Sequence, residues 1–190
     1  MHIRLLIAFL FLCVSFPVVA EAGMTVQQAY ESGHYKRTPF DAARSKIKSQ
    51  KDIQYLQRLF DVSDKVFLSR VLIMQGIYTG RDSNAVTYTM DMVALSEYFS
   101  DVEAPEHLQT VHQIMLELMD EQQIFLSRWA GSTRAEQRKI EKRYELQPAV
   151  QSSNRKVQQI YIELMKLYPE ESEYNRRAFF DHLYALDLMN

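Results

Sequence analysis

The sequence predicts an all-α protein: an antiparallel bundle of about four long helices with extra short helices, preceded by a cleaved signal peptide. Beyond the leader, the composition is dominated by the helix-forming residues Leu, Met, Gln, Glu, Lys and Arg. Apolar residues recur at helical spacing over long stretches, and the 5 glycines and 5 prolines fall mostly between those stretches. No run of useful length alternates apolar with polar residues as a strand would.

Residues 1–22 have the pattern of a secretory signal peptide. Arg4 is followed by an apolar run over 5–20, and Ala20 and Ala22 supply the small residues that a signal peptidase reads. The run is shorter than the roughly 20 residues that a helix needs to span a bilayer. We therefore expect cleavage, and no integral membrane span in the mature protein.

The 1 cysteine of the chain, Cys13, lies inside this leader. It follows Leu12, where a lipoprotein signal would have a small residue, so lipidation is not expected. The mature chain then forms no disulfide, although an oxidising compartment would permit one. No Asn-x-Ser/Thr glycosylation site occurs either. These features favour the bacterial periplasm over a eukaryotic secretory route.

The remaining sequence divides into an N-terminal arm with short helices over 23–50 and a helical bundle domain over 51–190. Within the arm, Thr38 as N-cap and Pro39 at the first helical position predict the start of one short helix. In the bundle domain, Gly80, Pro105 and Pro169 mark helix boundaries. The four long helices are expected near 51–78, 84–100, 105–130 and 148–168.

The third long helix has the clearest packing pattern. Its apolar residues recur in strict 3-4 spacing, which is typical of a seam between helices. The seam comprises Leu108, Val111, Met115, Leu118, Gln122, Phe125 and Trp129.

Two polar residues interrupt apolar faces and are candidates for a binding site. Gln122 lies within the seam, and Arg70 lies between Phe67 and Met74 on the first long helix. Buried polar groups need partners. Each of the two either fixes the register of the helices or lines a ligand pocket.

His112, Met115 and Met119 are the candidates for a metal site, because they share one stripe of a helix. Imidazole and thioether ligands suit copper or haem. The alternative is ordinary core packing, for which methionine is well suited. No Glu-x-x-His pair or CxxCH motif is present, and no cofactor is predicted.

Catalytic and nucleic-acid-binding signatures are weak. No G-x-S-x-G motif surrounds a serine. The basic residues between 134 and 143 alternate with glutamates, and the net charge is −2, so nucleic-acid binding is not expected. An enzyme with a composite site, for example His34, Arg37 and a carboxylate, stays open, although the sequence favours a protein without enzymatic activity.

The segment from 30 to 41 combines aromatic, basic and hydrogen-bonding side chains without a helical stripe. Loops of this composition often bind ligands. The alternative is an arm whose aromatic rings pack into grooves of the bundle. The candidate binding residues in this segment are Tyr30, His34, Arg37, Thr38 and Asp41.

Together these observations favour an exported, periplasmic, non-catalytic helical protein that binds or interacts with a partner. The partner would be another periplasmic protein or a small ligand. The alternative is a carrier that holds a small ligand, a metal or haem in the interior of the bundle. Nothing in the sequence predicts the oligomeric state.

Overall fold

The computed structural model describes residues 37–80 and 82–189, apart from the side chains of 82–84. The predicted signal peptide and the candidates Tyr30 and His34 lie outside the described residues.

The described chain is helical and contains no strand, which confirms the all-α part of the prediction. Three short 3-10 helices lie at Ala42–Arg44, Glu106–Leu108 and Tyr144–Leu146. The α-helices are α1 (Gln50–Thr79), α2 (Asp82–Ser100), α3 (Gln109–Ala130), α4 (Arg134–Lys142), α5 (Pro148–Leu167) and α6 (Glu173–Tyr184). The four longest fall close to the stretches predicted from the sequence.

Helix boundaries follow local capping chemistry. Ser49 caps α1 by accepting a hydrogen bond from the backbone N–H of Asp52. At the start of α4, Thr133 and Glu136 form a reciprocal capping box. Gly80 ends α1 with a φ of 78°, a left-handed conformation that favours glycine.

The predicted helix start at Thr38 and Pro39 is wrong. The backbone stays extended there, and the first helical turn begins only after Asp41, whose side chain accepts from the Ala43 N–H. Thr38 Oγ1 instead donates to Asp181 Oδ2 of α6 at 2.7 Å. Because a tertiary partner engages this hydroxyl, it does not cap a local helix.

Side-chain contacts join the long helices. Tyr55, near the start of α1, contacts Phe99 at the end of α2 and His112 near the start of α3. Gln122, in the second half of α3, donates to Ser153 in the first half of α5. These contacts place the start of α1 beside the end of α2 and the start of α3, and they join α3 to α5.

The predicted seam is buried along its whole length, with every member at most 3% exposed. At its end, Trp129 meets Tyr78 of α1 edge-on at 5.9 Å and lies 5.5 Å from the Tyr144 ring. The seam therefore packs α3 against its neighbours, as its spacing predicts.

The described residues before α1, 37–49, belong to the predicted N-terminal arm, and from here on they alone are called the arm. Phe40 packs its ring against both Phe60 of α1 and Phe179 of α6, with centroid distances of 5.8 and 6.0 Å. The Asp41 N–H donates to Asn175 Oδ1 at 2.9 Å. Since Thr38 contacts Asp181 and Asp41 contacts Asn175, the arm runs antiparallel to α6. The described part of the predicted N-terminal segment therefore packs against the helices.

Glu171 anchors the other end of the arm. It is 5% exposed and accepts from Ser45 Oγ at 2.5 Å and from the Lys46 N–H at 2.9 Å. Burial by itself would raise the pKa of Glu171, but hydrogen bonds from Ser45, Lys46 and Ser172 lower it overall. The carboxylate is therefore the form that the folded protein stabilises.

We expect Glu171→Gln to lower the free energy of unfolding by about 1.5–3 kcal/mol at pH 7, the range for hydrogen bonds to a charged group. Because the folded pKa is lowered, the stabilisation is complete above the ordinary glutamate pKa of about 4.3 and is lost as the pH falls below it. Urea unfolding of both proteins between pH 3 and 7 should show the difference shrinking in acid. The exposed neighbour gives the control Glu170→Gln, which should change little. A difference that is constant with pH would contradict this assignment.

Candidate functional site: a basic groove between α1 and α6

A cavity of about 900 Å³ lies between α1 and α6, next to the first residue of the arm. We call it the α1–α6 groove. Its polar lining consists of arginines, one glutamine and one aspartate, and the rest of its lining is apolar or aromatic. The lining residues are Arg37, Phe67, Arg70, Val71, Met74, Gln75, Tyr78, Arg177, Phe180, Asp181, Tyr184 and Ala185.

Each helix supplies one stripe of side chains to the groove, because residues three and four apart lie on the same face. On α1 the stripe descends through Phe67, Arg70, Met74 and Tyr78. On α6 it comprises Arg177, Phe180, Asp181 and Tyr184.

Arg70 forms the buried floor of the groove, with only 3% of its surface exposed. Its Nη1 donates to the backbone carbonyl of Asp187 at 2.7 Å, and its Nε has no hydrogen-bond partner among the described residues. No described carboxylate forms a salt bridge with it. Burial lowers the pKa of Arg70, because a low-dielectric environment disfavours the charged form. Tyr144 and the Asp187 carboxylate oppose this shift without forming a salt bridge to Arg70. The folded protein thus holds a buried cation that no described carboxylate contacts directly.

Arg37 brings a second positive charge to the same place. Its guanidinium carbon lies 4.4 Å from the centroid of the Phe67 ring, and that of Arg70 lies 5.0 Å from it. Burial lowers the pKa of Arg37 to about 10; Asp64 and Asp181 oppose this shift, and the Arg70 cation adds to it. The two guanidinium groups therefore share one aromatic ring and repel each other.

The mouth of the groove is aromatic and exposed. Phe180 and Tyr184 stack on each other with ring centroids 4.9 Å apart, and Arg177 lies over Phe180 at 5.5 Å. The exposed fractions are 37% for Phe180, 45% for Tyr184 and 57% for Tyr78. These rings could contact a bound molecule directly.

Of the candidates from the sequence, Arg37 and Arg70 meet in this groove. Thr38 and Asp41 instead hold the arm to α6. Thr38 donates to Asp181, and the backbone N–H and carbonyl of Asp41 form hydrogen bonds with the side-chain amide of Asn175. Their roles as ligand contacts stay predictions.

Gln122 has a different environment from Arg70. It is 1% exposed, and its Nε2 donates to Ser153 Oγ at 2.8 Å and to the Leu186 carbonyl at 2.5 Å. It thus links α3, α5 and the segment after α6, and it is not among the residues that line the groove. This geometry favours the register interpretation for Gln122 and the pocket interpretation for Arg70.

The candidate metal ligands lie in the core. The Nδ1 of His112 is 3.3 Å from the Tyr55 hydroxyl, its ring is 4.6 Å from that of Phe99, and burial lowers the pKa of His112. Met115 and Met119 are at most 1% exposed. Within the described ranges, no group of three or more His, Cys, Asp or Glu side chains is arranged to hold a metal ion. These contacts are those of packed core residues, and the metal site stays a prediction.

Sequence reasoning missed the contribution of α6. Its signal was available: Arg177, Phe180 and Tyr184 follow at i, i+3 and i+7, on a face separate from the buried Phe179 and Leu183. An aromatic stripe outside the core-facing stripe indicates a second contact surface.

A second polar cluster was also missed. Asp52, which is 5% exposed, accepts from the Tyr168 hydroxyl at 2.9 Å, and its Oδ2 lies 2.9 Å from His107 Nε2. Burial, together with the bond to Asp52, raises the pKa of Tyr168. The three side chains join the start of α1, the turn before α3 and the end of α5. Their mutual hydrogen bonds indicate a structural link between helix ends.

Comparison with known proteins gives no match to a protein-family model, to a curated protein or to a solved structure. Among the described helices, none combines the length and the apolar character that crossing a bilayer requires. The fold and the groove together define the class: an all-helical domain with a basic groove walled by aromatic rings.

Proposed function

We propose that this chain is an exported, non-catalytic binding protein of the periplasm, an antiparallel bundle of about four long helices that binds a small anionic ligand in the α1–α6 groove. The observation that carries the proposal is Arg70, a buried cation that lines a cavity and forms no salt bridge with a described carboxylate. Export is proposed from the signal-peptide pattern of residues 1–22. Binding of another protein stays a prediction, and no described contact is assigned to it.

Burying the charge of Arg70 costs free energy, and a bound anion would reduce that cost. An unpaired buried cation destabilises the folded state, and here the nearby Arg37 adds repulsion. A bound anion would reduce both the cost of the buried charge and the repulsion between the two arginines. A guanidinium group presents its N–H donors in a planar fork that matches carboxylate and phosphate oxygens. Two such groups on one ring would hold an anion strongly.

The carboxylate in the groove is already engaged, which supports binding rather than catalysis. Asp181 Oδ2 accepts from Thr38, and Asp181 Oδ1 pairs with Arg177 Nε at 2.8 Å. A carboxylate held in this way is poorly placed to take a proton from a substrate, since general bases need a free acceptor within reach of the reacting group.

We expect Arg70→Met to weaken anion binding about tenfold to hundredfold, which corresponds to losing one hydrogen bond to a charged group. Calorimetric titration with benzoate, hexanoate and phenyl phosphate would measure this. Urea unfolding would show separately how the variant balances two effects: removal of a buried charge stabilises the folded state, and loss of the donor to the Asp187 carbonyl destabilises it.

Arg128→Met is the matched control, because Arg128 is an α3 arginine outside the groove. It should leave the binding of these anions unchanged. If the wild type bound none of the three probes, or if the Arg70 variant bound them equally well, the proposal would be wrong.

A further inference from the structure

We infer that the ligand of the α1–α6 groove is a free anionic amphiphile: one anionic head group on an elongated apolar body. The inference rests on the proposed function and adds to it the chemical class of the ligand.

The head group is placed by the two arginines. Arg37 and Arg70 both lie against Phe67, so the positive charge of the groove is concentrated beside that ring. A single carboxylate or phosphate there would interact with both guanidinium groups.

The body of the ligand is placed by the exposed apolar residues that line the same groove. Val71 is 41% exposed, and Tyr78, Phe180 and Tyr184 are exposed in the same groove. A small polar anion would leave these surfaces in water. An apolar body would cover them, and burial of apolar surface is the main favourable contribution to binding.

The shape of the groove favours an elongated body. Arg70 and Tyr78 lie on one stripe of α1, and at 1.5 Å per residue they are separated by about 12 Å along the helix axis. The cavity of about 900 Å³ is within the size range of sites for small organic ligands. Such a molecule would lie along α1 with its anionic end beside Phe67.

The burial of Arg70 distinguishes a free molecule from a membrane surface. With 3% of its surface exposed, its side chain is out of reach of head groups packed in a flat bilayer. A single molecule that enters the groove can reach it. The structure therefore favours a dissolved amphiphile over a lipid in a membrane.

The test is calorimetric titration of the full purified chain with straight-chain carboxylates from acetate to decanoate, each below the concentration at which it forms micelles. We expect affinity to rise about fourfold per added methylene, the factor for burying one such group. Decanol and decyltrimethylammonium have the same chain without a negative charge, and they should bind at least tenfold more weakly than decanoate. Vesicles that contain an anionic phospholipid should not bind.

Two variants test the contributions of the anionic head group and the apolar body separately. Arg70→Met should lower the affinity for all the carboxylates by the same factor. Phe180→Ala should instead reduce the gain in affinity with chain length. Ile162→Ala removes an exposed side chain of α5 outside the groove and should change neither.

The outcomes distinguish this inference from the proposed function. If short anions bind in an Arg70-dependent way but chain length has no effect on affinity, the inference of an amphiphilic ligand is wrong and the proposed anion-binding function stands. Binding to the vesicles without binding to free decanoate would contradict the inference that the ligand is a dissolved molecule. If no anion binds at all, both proposals fail.

Discussion

Replacing Phe179 with alanine is expected to lower the free energy of unfolding by about 3–5 kcal/mol, the usual cost of truncating a buried phenylalanine. Phe179 is 0% exposed, and its ring lies 5.4 Å from that of Phe60 and 6.0 Å from that of Phe40. The substitution therefore removes the contact that holds together α1, α6 and the arm. Urea unfolding followed by circular dichroism would measure the loss.

The adjacent residue provides the matched control. Phe180 is 37% exposed and lies in the groove, so Phe180→Ala should change stability by no more than about 0.5–1 kcal/mol while weakening amphiphile binding. Equal losses of stability at Phe179 and Phe180 would show that the assignment of the two faces of α6 is incorrect.

Replacing Asp64 with alanine is expected to cost about 2–4 kcal/mol, because it leaves a buried partner unsatisfied. Asp64 Oδ1 lies 2.7 Å from Nδ1 of His182, and the two residues are 9% and 5% exposed. The pair joins α1 to α6 beneath the arm. Thermal and urea unfolding of the variant would measure the cost.

Asp61→Ala tests the same change in the same helix at the surface. Asp61 pairs with Lys65 at 2.9 Å in a partly exposed i, i+4 arrangement, so its loss should cost no more than about 0.5 kcal/mol. The double variant Asp64→Ala/His182→Ala should cost less than the sum of its single variants, since no buried group is then left without its partner. Strict additivity would contradict a direct interaction.

The sequence predicted the helices well because their signals are local. Gly80 ends α1 and Pro148 begins α5. The 3-4 spacing of apolar residues through Trp129 identifies a buried stripe, whichever helices it packs against. The error at Thr38 has the opposite cause. Its pattern is a good local cap, but a hydrogen bond to Asp181, far away in the sequence, takes its hydroxyl.

The groove could be predicted only in part. Arg70 was singled out as a polar residue on an apolar face, and Arg37 as part of an unusual N-terminal segment. That both lie against Phe67 depends on where the arm docks, which is a long-range property. For the same reason the aromatic wall on α6 was not anticipated, since Phe180 and Tyr184 become part of a site only when α1 lies opposite.

The docking of the arm on α6 also sets an order of assembly. The arm precedes every described α-helix, and its partners Asp181, Asn175 and Glu171 lie in or just before the last one. Because the chain is synthesised from its N-terminus, the arm can dock only after nearly all of the protein has been made. Contacts of such long sequence separation form late and slowly. Arg37 enters the groove with the arm, so the groove gains its second arginine only after the arm has docked.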